Sequence, residues 1–248
     1  EQTTTTSTTS TSTAGTTTST GGGTTTTTVS SVTTTTQNTN ATSTTLNLAQ
    51  GWNLIGNGHE NNFDVAAVLG DASTITTVWK WVAAKASWAF YAPGLSAQQL
   101  VDYTTSKGYE VLASIQAAEG FWVNTKQAHT VNLPSATPIA SSSFNPAGTR
   151  PLVQGWSLIA TGDSPTPATF NNSLSLTPPS PGTTPTNLVS LWAWDTAASG
   201  WYFWAPSLMN AGTLSSYRTA KGYLDFTAIP NNPVGTLSPT TGVWVNRP

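Results

Sequence analysis

The chain contains no cysteine, which excludes disulfide staples, thiolate metal sites and a cysteine nucleophile. Charge is nearly as scarce. Asp, Glu, Lys and Arg together make up 7% of the 248 residues, against about 25% in an ordinary globular domain. The net charge is −2 and the eight Lys and Arg are scattered singly, so no basic stripe exists to neutralise phosphates or an anionic bilayer. Nucleic acid is therefore not an expected partner. No apolar run approaches the ~20 residues that span a bilayer, and membrane insertion is not expected. The chain opens Glu1-Gln2-Thr3, as a mature or trimmed chain is expected to. An extracellular or cell-surface location is thus expected from composition, a surface clothed in Thr, Ser, Asn, Gln and Gly, rather than read from a leader.

Chemically active groups are also sparse. His59-Glu60 lies in a Gly-Asn-rich loop and His129 near a repeat end. Neither has a second ligand at metal spacing, so both read as surface histidines. The acids are dispersed, and Asp71, Asp102, Asp163, Asp195 and Asp225 lack the dense oxygen spacing of a calcium loop. The expectation is a protein that is not an enzyme and holds no metal or cofactor.

What the chain does have is tryptophan, 11 residues of it, in a pattern written twice. Val78-Trp79-Lys80-Trp81, followed by Trp88, Phe90, Tyr91 and Pro93, is answered 113 residues later by Leu191-Trp192-Ala193-Trp194, then Trp201, Phe203, Trp204 and Pro206. Gln50-Gly51-Trp52-Asn53-Leu54-Ile55 answers to Gln154-Gly155-Trp156-Ser157-Leu158-Ile159, Lys107-Gly108-Tyr109 to Lys221-Gly222-Tyr223, and Gly120-Phe121-Trp122-Val123-Asn124 to Gly242-Val243-Trp244-Val245-Asn246. Self-similarity of this kind reads as a tandem duplication.

Four segments follow: an arm over 1–45, a first repeat over 46–133, a linker over 134–150 and a second repeat over 151–248. More than half of the arm is threonine, and Val29 and Val32 are its largest apolar residues, so it cannot build a core of its own. β-Branched Thr favours extended backbone. The arm is therefore either a flexible, O-glycosylated stalk or a strand that becomes ordered against a sheet edge, and the second is favoured here.

In the first repeat a strand is expected over 52–55. A short helix capped by Asn62 and closed by Gly70 follows, then a hairpin pairing 78–82 with 88–91. Ser96 and Gln99 stand at capping-box spacing for a helix over 97–106 that stops at Gly108, and closing strands are expected over 109–112 and 121–125. In the second repeat a Pro-rich insertion over 176–185 takes the place of the first helix. The fold class is mainly β with short helices: two related β-rich halves from an internal duplication, preceded by an extended Thr-rich arm.

The series Gly-Trp-Asn-Leu-Ile, Val-Trp-Lys-Trp, Trp-Ala-Phe-Tyr-Ala-Pro, Lys-Gly-Tyr and Gly-Phe-Trp-Val-Asn resembles a tryptophan-rich tandem repeat of bacterial secreted and cell-surface proteins. It covers about residues 46–132 and 150–248. The resemblance brings no catalytic residues with it, and the second copy departs at Asp195, where Val82 stands, and at Thr241, where Glu119 stands.

Trp79 and Trp81, like Trp192 and Trp194, are two apart and share a strand face. Their recurrence reads as shared core packing for Trp52, Trp79, Trp122 and their partners. Trp88, Tyr91, Trp201 and Trp204, near the hairpin and the following proline, are the candidates for an interface or a glycan contact. Bulky groups at Phe121, Trp122 and Val123 demand cover on both faces of their strand. The function expected is that of a non-catalytic extracellular structural protein, a subunit of a bacterial surface filament or layer. Its arm, through Thr24, Val29, Val32 and Thr36, would add to a sheet edge of a neighbour, and its partners would be copies of itself or other surface proteins. The alternative is a carbohydrate-binding or adhesive module on a Thr-rich stalk, with glycans as partners.

Overall fold

The computed structural model describes residues 42–248, which fall within one compact unit. The assembly-arm residues Thr24, Val29, Val32 and Thr36 lie outside them. In chain order the first half runs β1 (Thr42–Leu48), β2 (Gly51–Gly56), β3 (Phe63–Asp64), α1 (Val65–Leu69), β4 (Ile75–Val82), β5 (Ser87–Tyr91), α2 (Ala97–Lys107), β6 (Glu110–Val111), β7 (Ser114–Ile115), β8 (Gly120–Thr125) and β9 (His129–Ala136). The second half runs β10 (Gly155–Ile159), α3 (Pro167–Ser173), β11 (Ser190–Asp195), β12 (Gly200–Trp204), α4 (Pro206–Asn210), α5 (Leu214–Lys221) and β13 (Val243–Arg247). The body is mainly β with short helices.

The two larger sheets share an order. One is β2-β8-β4-β5, extended by the parallel β6, and the other is β10-β13-β11-β12. Their registers agree too: Trp122 stands opposite Leu54 and Trp79, and Trp244 opposite Leu158 and Trp192. Each sheet buries an aliphatic face, because side chains alternate along a strand. Val78, Phe121 and Val123 join Ile55, Phe63, Leu69 and Ile115 in the first core. Leu191, Val243 and Val245 join Phe170, Leu188 and Leu237 in the second.

Two short strands beyond the repeat motifs complete the first core. β1 pairs antiparallel with β9 and turns Leu46 and Leu48 inward while Thr45 and Asn47 stay exposed. The segment expected as a linker is likewise committed to packing, since Ile139 and Phe144 belong to the second core.

Local signals fare unevenly. The Ser96–Gln99 capping box is formed, and Gly108 ends α2 in the left-handed conformation at φ 69°. The first helix, by contrast, starts at Val65 under Asp64, whose carboxylate accepts from Ala67 N at 2.7 Å. Asn62 instead accepts from Ala117 N at 2.8 Å, because Phe63 and Asp64 are taken up in a short pairing with Ile115 and Ser114. The strand expected over 109–112 shrinks to Glu110–Val111. The second repeat keeps its first helix: Thr166 caps α3 with Pro167 in its first turn, where the missing N–H costs nothing, and the Pro-rich insertion follows it.

The halves meet backbone to backbone at equivalent points. Ile55 bridges Thr241, and Ile159 bridges Glu119. Gly56 N donates to Thr240 O and Ala160 N to Ala118 O, both at 2.8 Å. Gly120 and Gly242, each two residues ahead of a closing-strand tryptophan, sit where a side chain cannot. A Cβ on Gly120 would lie 2.8 Å from Ile159 O, and one on Gly242 would lie 2.4 Å from Ile55 O.

His59 is not a surface residue; it is 2% exposed. Its loop folds in under β1, placing Nδ1 3.0 Å from Thr44 Oγ1, and its backbone bridges Pro138. Burial lowers its pKa below the ordinary value near 6.5. The folded state therefore prefers the neutral ring. As pH falls below about 6.5 the unfolded chain takes up the proton first, and stability present at higher pH is lost. The melting temperature should accordingly drop between pH 7 and pH 5, and His59→Gln should flatten that drop in thermal scans over the same range.

Candidate functional site

The face of each sheet that does not enter the aliphatic cores carries tryptophan. On β4 the alternation that seals Val78 puts Trp79 and Trp81 on the opposite side, and on β8 the burial of Phe121 and Val123 does the same to Trp122. β11 and β13 repeat this with Trp192, Trp194 and Trp244. These side chains are partly exposed, and Trp52 and Trp156 are 44% and 43% exposed. The expectation that Trp52, Trp122 and their partners fill the cores is thus corrected, whereas Trp79 packs against a smaller buried cluster of Phe90, Ala92 and Leu100. Aliphatic side chains together with Phe63, Phe121, Phe170 and a few other aromatics pack the enclosed faces, and most of the indoles form a second layer open to solvent.

That layer is assembled from both halves by reciprocal contacts. Trp122 meets Trp194 and Trp201 at centroid distances of 5.9 and 5.8 Å. Trp244, its sequence counterpart, meets Trp81 and Trp88 at 6.0 and 5.9 Å. Trp52 stands edge-on to Trp122 at 86°, and Trp156 edge-on to Trp244 at 84°. Two hydrogen bonds lock the arrangement: Trp81 Nε1 donates to Trp156 O at 2.9 Å and Trp194 Nε1 to Trp52 O at 3.1 Å. Edge-to-face pairs of this kind contribute about 0.5–1.5 kcal/mol each beyond area burial, so the layer holds the halves together as well as facing solvent.

Between the rings lie two open clefts. One, of about 340 Å³, is lined by Trp81, Trp88, Trp156, Trp192, Trp201 and Trp244. The other, of about 410 Å³, is lined by Trp52, Trp79, Trp88, Trp122, Trp194 and Trp201. Every lining side chain is an indole, and each cleft draws on both halves. Six of these residues (Trp52, Trp88, Trp122, Trp156, Trp201 and Trp244) have an indole N–H with no partner among the described residues, and none of these groups is sealed from water. The clefts therefore offer aromatic faces and a few neutral donors, with no ionisable group among the lining side chains. Trp79 Nε1 alone is buried without an acceptor, whereas its counterpart Trp192 donates to Ser190 Oγ at 2.9 Å.

The four residues singled out from the sequence separate. Trp88 and Trp201 line both clefts. Tyr91 points to the other side of β5, against the first core, and Trp204 is 6% exposed within the second. Sequence reasoning passed over Trp52, Trp79, Trp81, Trp122, Trp156, Trp192, Trp194 and Trp244 as cleft residues. The buried neighbours Phe121 and Val123, or Val243 and Val245, are the signal that Trp122 and Trp244 face away from whatever those neighbours enter.

Elsewhere several polar groups are bound up structurally. Lys80 pairs with Glu119 at 2.9 Å, and Asp163 accepts from Ser141 and Thr161. Burial pushes the Asp195 carboxyl up, but hydrogen bonds from the Tyr202 hydroxyl and the Ala198 amide outweigh it and hold the group below the usual carboxylate range. Among the described residues, no group of three or more His, Cys, Asp or Glu is placed to hold a metal ion.

The division between an aliphatic core and an open aromatic layer has a direct energetic consequence. Phe121→Ala should cost about 3–5 kcal/mol as a core truncation. Trp52→Ala, which removes a half-exposed ring and one edge-to-face contact, should cost about 1 kcal/mol. Urea denaturation of the two variants measures both. No protein-family model, curated protein or solved structure matches this chain.

Proposed function

We propose that the described body is a non-catalytic carbohydrate-binding module, the second of the two functions its sequence suggested, and that its tryptophan clefts take a neutral polysaccharide. The observation that carries this reading is a pair of open clefts lined wholly by indole. The apolar face of a pyranose ring with equatorial substituents stacks on such a surface, and its hydroxyls can accept from the unpaired indole N–H groups of Trp52, Trp122, Trp156 and Trp244. A β-1,4-linked chain of the glucan or chitin type presents such faces along its length. The absence of ionisable side chains from the lining favours an uncharged ligand over an acidic or phosphorylated one. The volumes, about 340 and 410 Å³, lie at the lower end of the ~300–1,000 Å³ of small-molecule sites, and suit a short stretch of chain.

The low charge and the Thr-rich arm support display outside the cell, with the arm as a stalk. The matched strand orders and registers, together with the repeated motifs, support descent of the halves from an internal duplication, and the resemblance to bacterial tryptophan-rich surface repeats is in keeping with it. Assembly through the arm remains a separate proposal that rests on composition.

Affinity electrophoresis through gels containing hydroxyethylcellulose, glycol chitin or galactomannan tests the binding reading. The full chain should be retarded by at least one β-1,4-linked polymer, and the double variant Trp52→Ala/Trp156→Ala should migrate freely while keeping its circular dichroism spectrum. Free migration of the unaltered chain in all three gels would overturn the proposal.

A further inference from the structure

Resting on the saccharide reading, we infer that each chain carries two equivalent saccharide sites and so cross-links polysaccharide rather than merely attaching to it. The lining of one cleft converts into that of the other when each residue is replaced by its counterpart in the opposite repeat. Trp81 becomes Trp194, Trp156 becomes Trp52, Trp192 becomes Trp79 and Trp244 becomes Trp122, while Trp88 and Trp201 exchange places. The contacts behind the lining obey the same exchange, as do the two indole-to-carbonyl bonds. Reciprocity of this kind, in which i touches j and the counterpart of j touches the counterpart of i, is the mark of a two-fold relation. Trp88 and Trp201, shared by both clefts, form the wall between them.

A two-fold axis between the clefts has a functional consequence. A polysaccharide chain has direction, so one straight chain crossing both clefts would meet the second in the opposite sense from the first. The two sites are better filled by two chains, or by two stretches of a folded one. Paired occupancy then ties strands together and, on a polymer with many binding positions, raises apparent affinity by avidity without any new contact. The exposed rings of Trp52 and Trp156 each line one cleft only, so either site can be removed singly.

Isothermal titration of the full chain with cellohexaose and with chitohexaose, beside turbidity measurements on mixtures with hydroxyethylcellulose and glycol chitin, tests this. Two saccharides should bind per chain. Trp52→Ala or Trp156→Ala alone should halve that number and abolish polymer cross-linking while leaving hexasaccharide binding at the remaining site. Polymer affinity in the single variants should fall by about tenfold or more as avidity is lost. One saccharide per chain in the unaltered protein, or cross-linking that survives in both single variants, would overturn the two-site inference and leave the binding reading standing. Absence of binding to both hexasaccharides and to both polymers, together with free migration in galactomannan, would overturn both.

Discussion

Strand alternation at β8 and β13 is the constraint on which the rest of this structure depends. Each strand has bulky apolar groups on both faces, and both faces must be covered. Phe121 and Val123, and in the other half Val243 and Val245, enter closed hydrophobic cores. Trp122 and Trp244 are left facing the opposite way, and beyond Trp52 and Trp156 of their own halves they are covered by tryptophans of the other half. Meeting that need brings the backbones together at Gly120 and Gly242, where no Cβ fits. It also leaves clefts between the rings, because flat indoles packed edge to face do not fill space as branched aliphatics do.

The same layer thus serves two ends. Trp81 and Trp194 give their N–H groups to carbonyls across the joint, while Trp52 and Trp156, at the rim, spend nearly half of their surface in water. On a surface with few charges, exposed indole faces are what supports the proposed recognition of an uncharged ligand. The departures between the repeats fall away from the clefts. Glu119 serves an ion pair with Lys80, and Asp195 holds the Tyr202 hydroxyl, so neither distinguishes one cleft from the other.

Much of the local structure was legible in the sequence. The capping box of α2, its left-handed Gly108 and the β4–β5 hairpin follow from neighbours in the chain, and all are present. What escaped depends on distant partners. β1 is hidden in threonine-rich sequence, and only the Leu46–Leu48 alternation betrays it; its partner β9 lies more than eighty residues away. The burial of His59 follows from that pairing, since Thr44 comes from β1. The paired tryptophans were rightly placed on one face of each strand, but a single strand does not say which of its two faces meets the core. The buried neighbours settle that choice, and they put Trp52 and Trp122 at the surface rather than in the core.

The central claim, that the tryptophan layer is the ligand-binding surface of the body, is tested most directly by the indole N–H signals of the 11 tryptophans in a ¹⁵N-labelled sample titrated with cellohexaose and chitohexaose, assigned by single substitution. The account predicts that at least one saccharide shifts the signals of Trp52, Trp122, Trp156 and Trp244, while that of the core residue Trp204 stays in place. A saccharide that binds the protein and leaves the cleft indoles unmoved would contradict it.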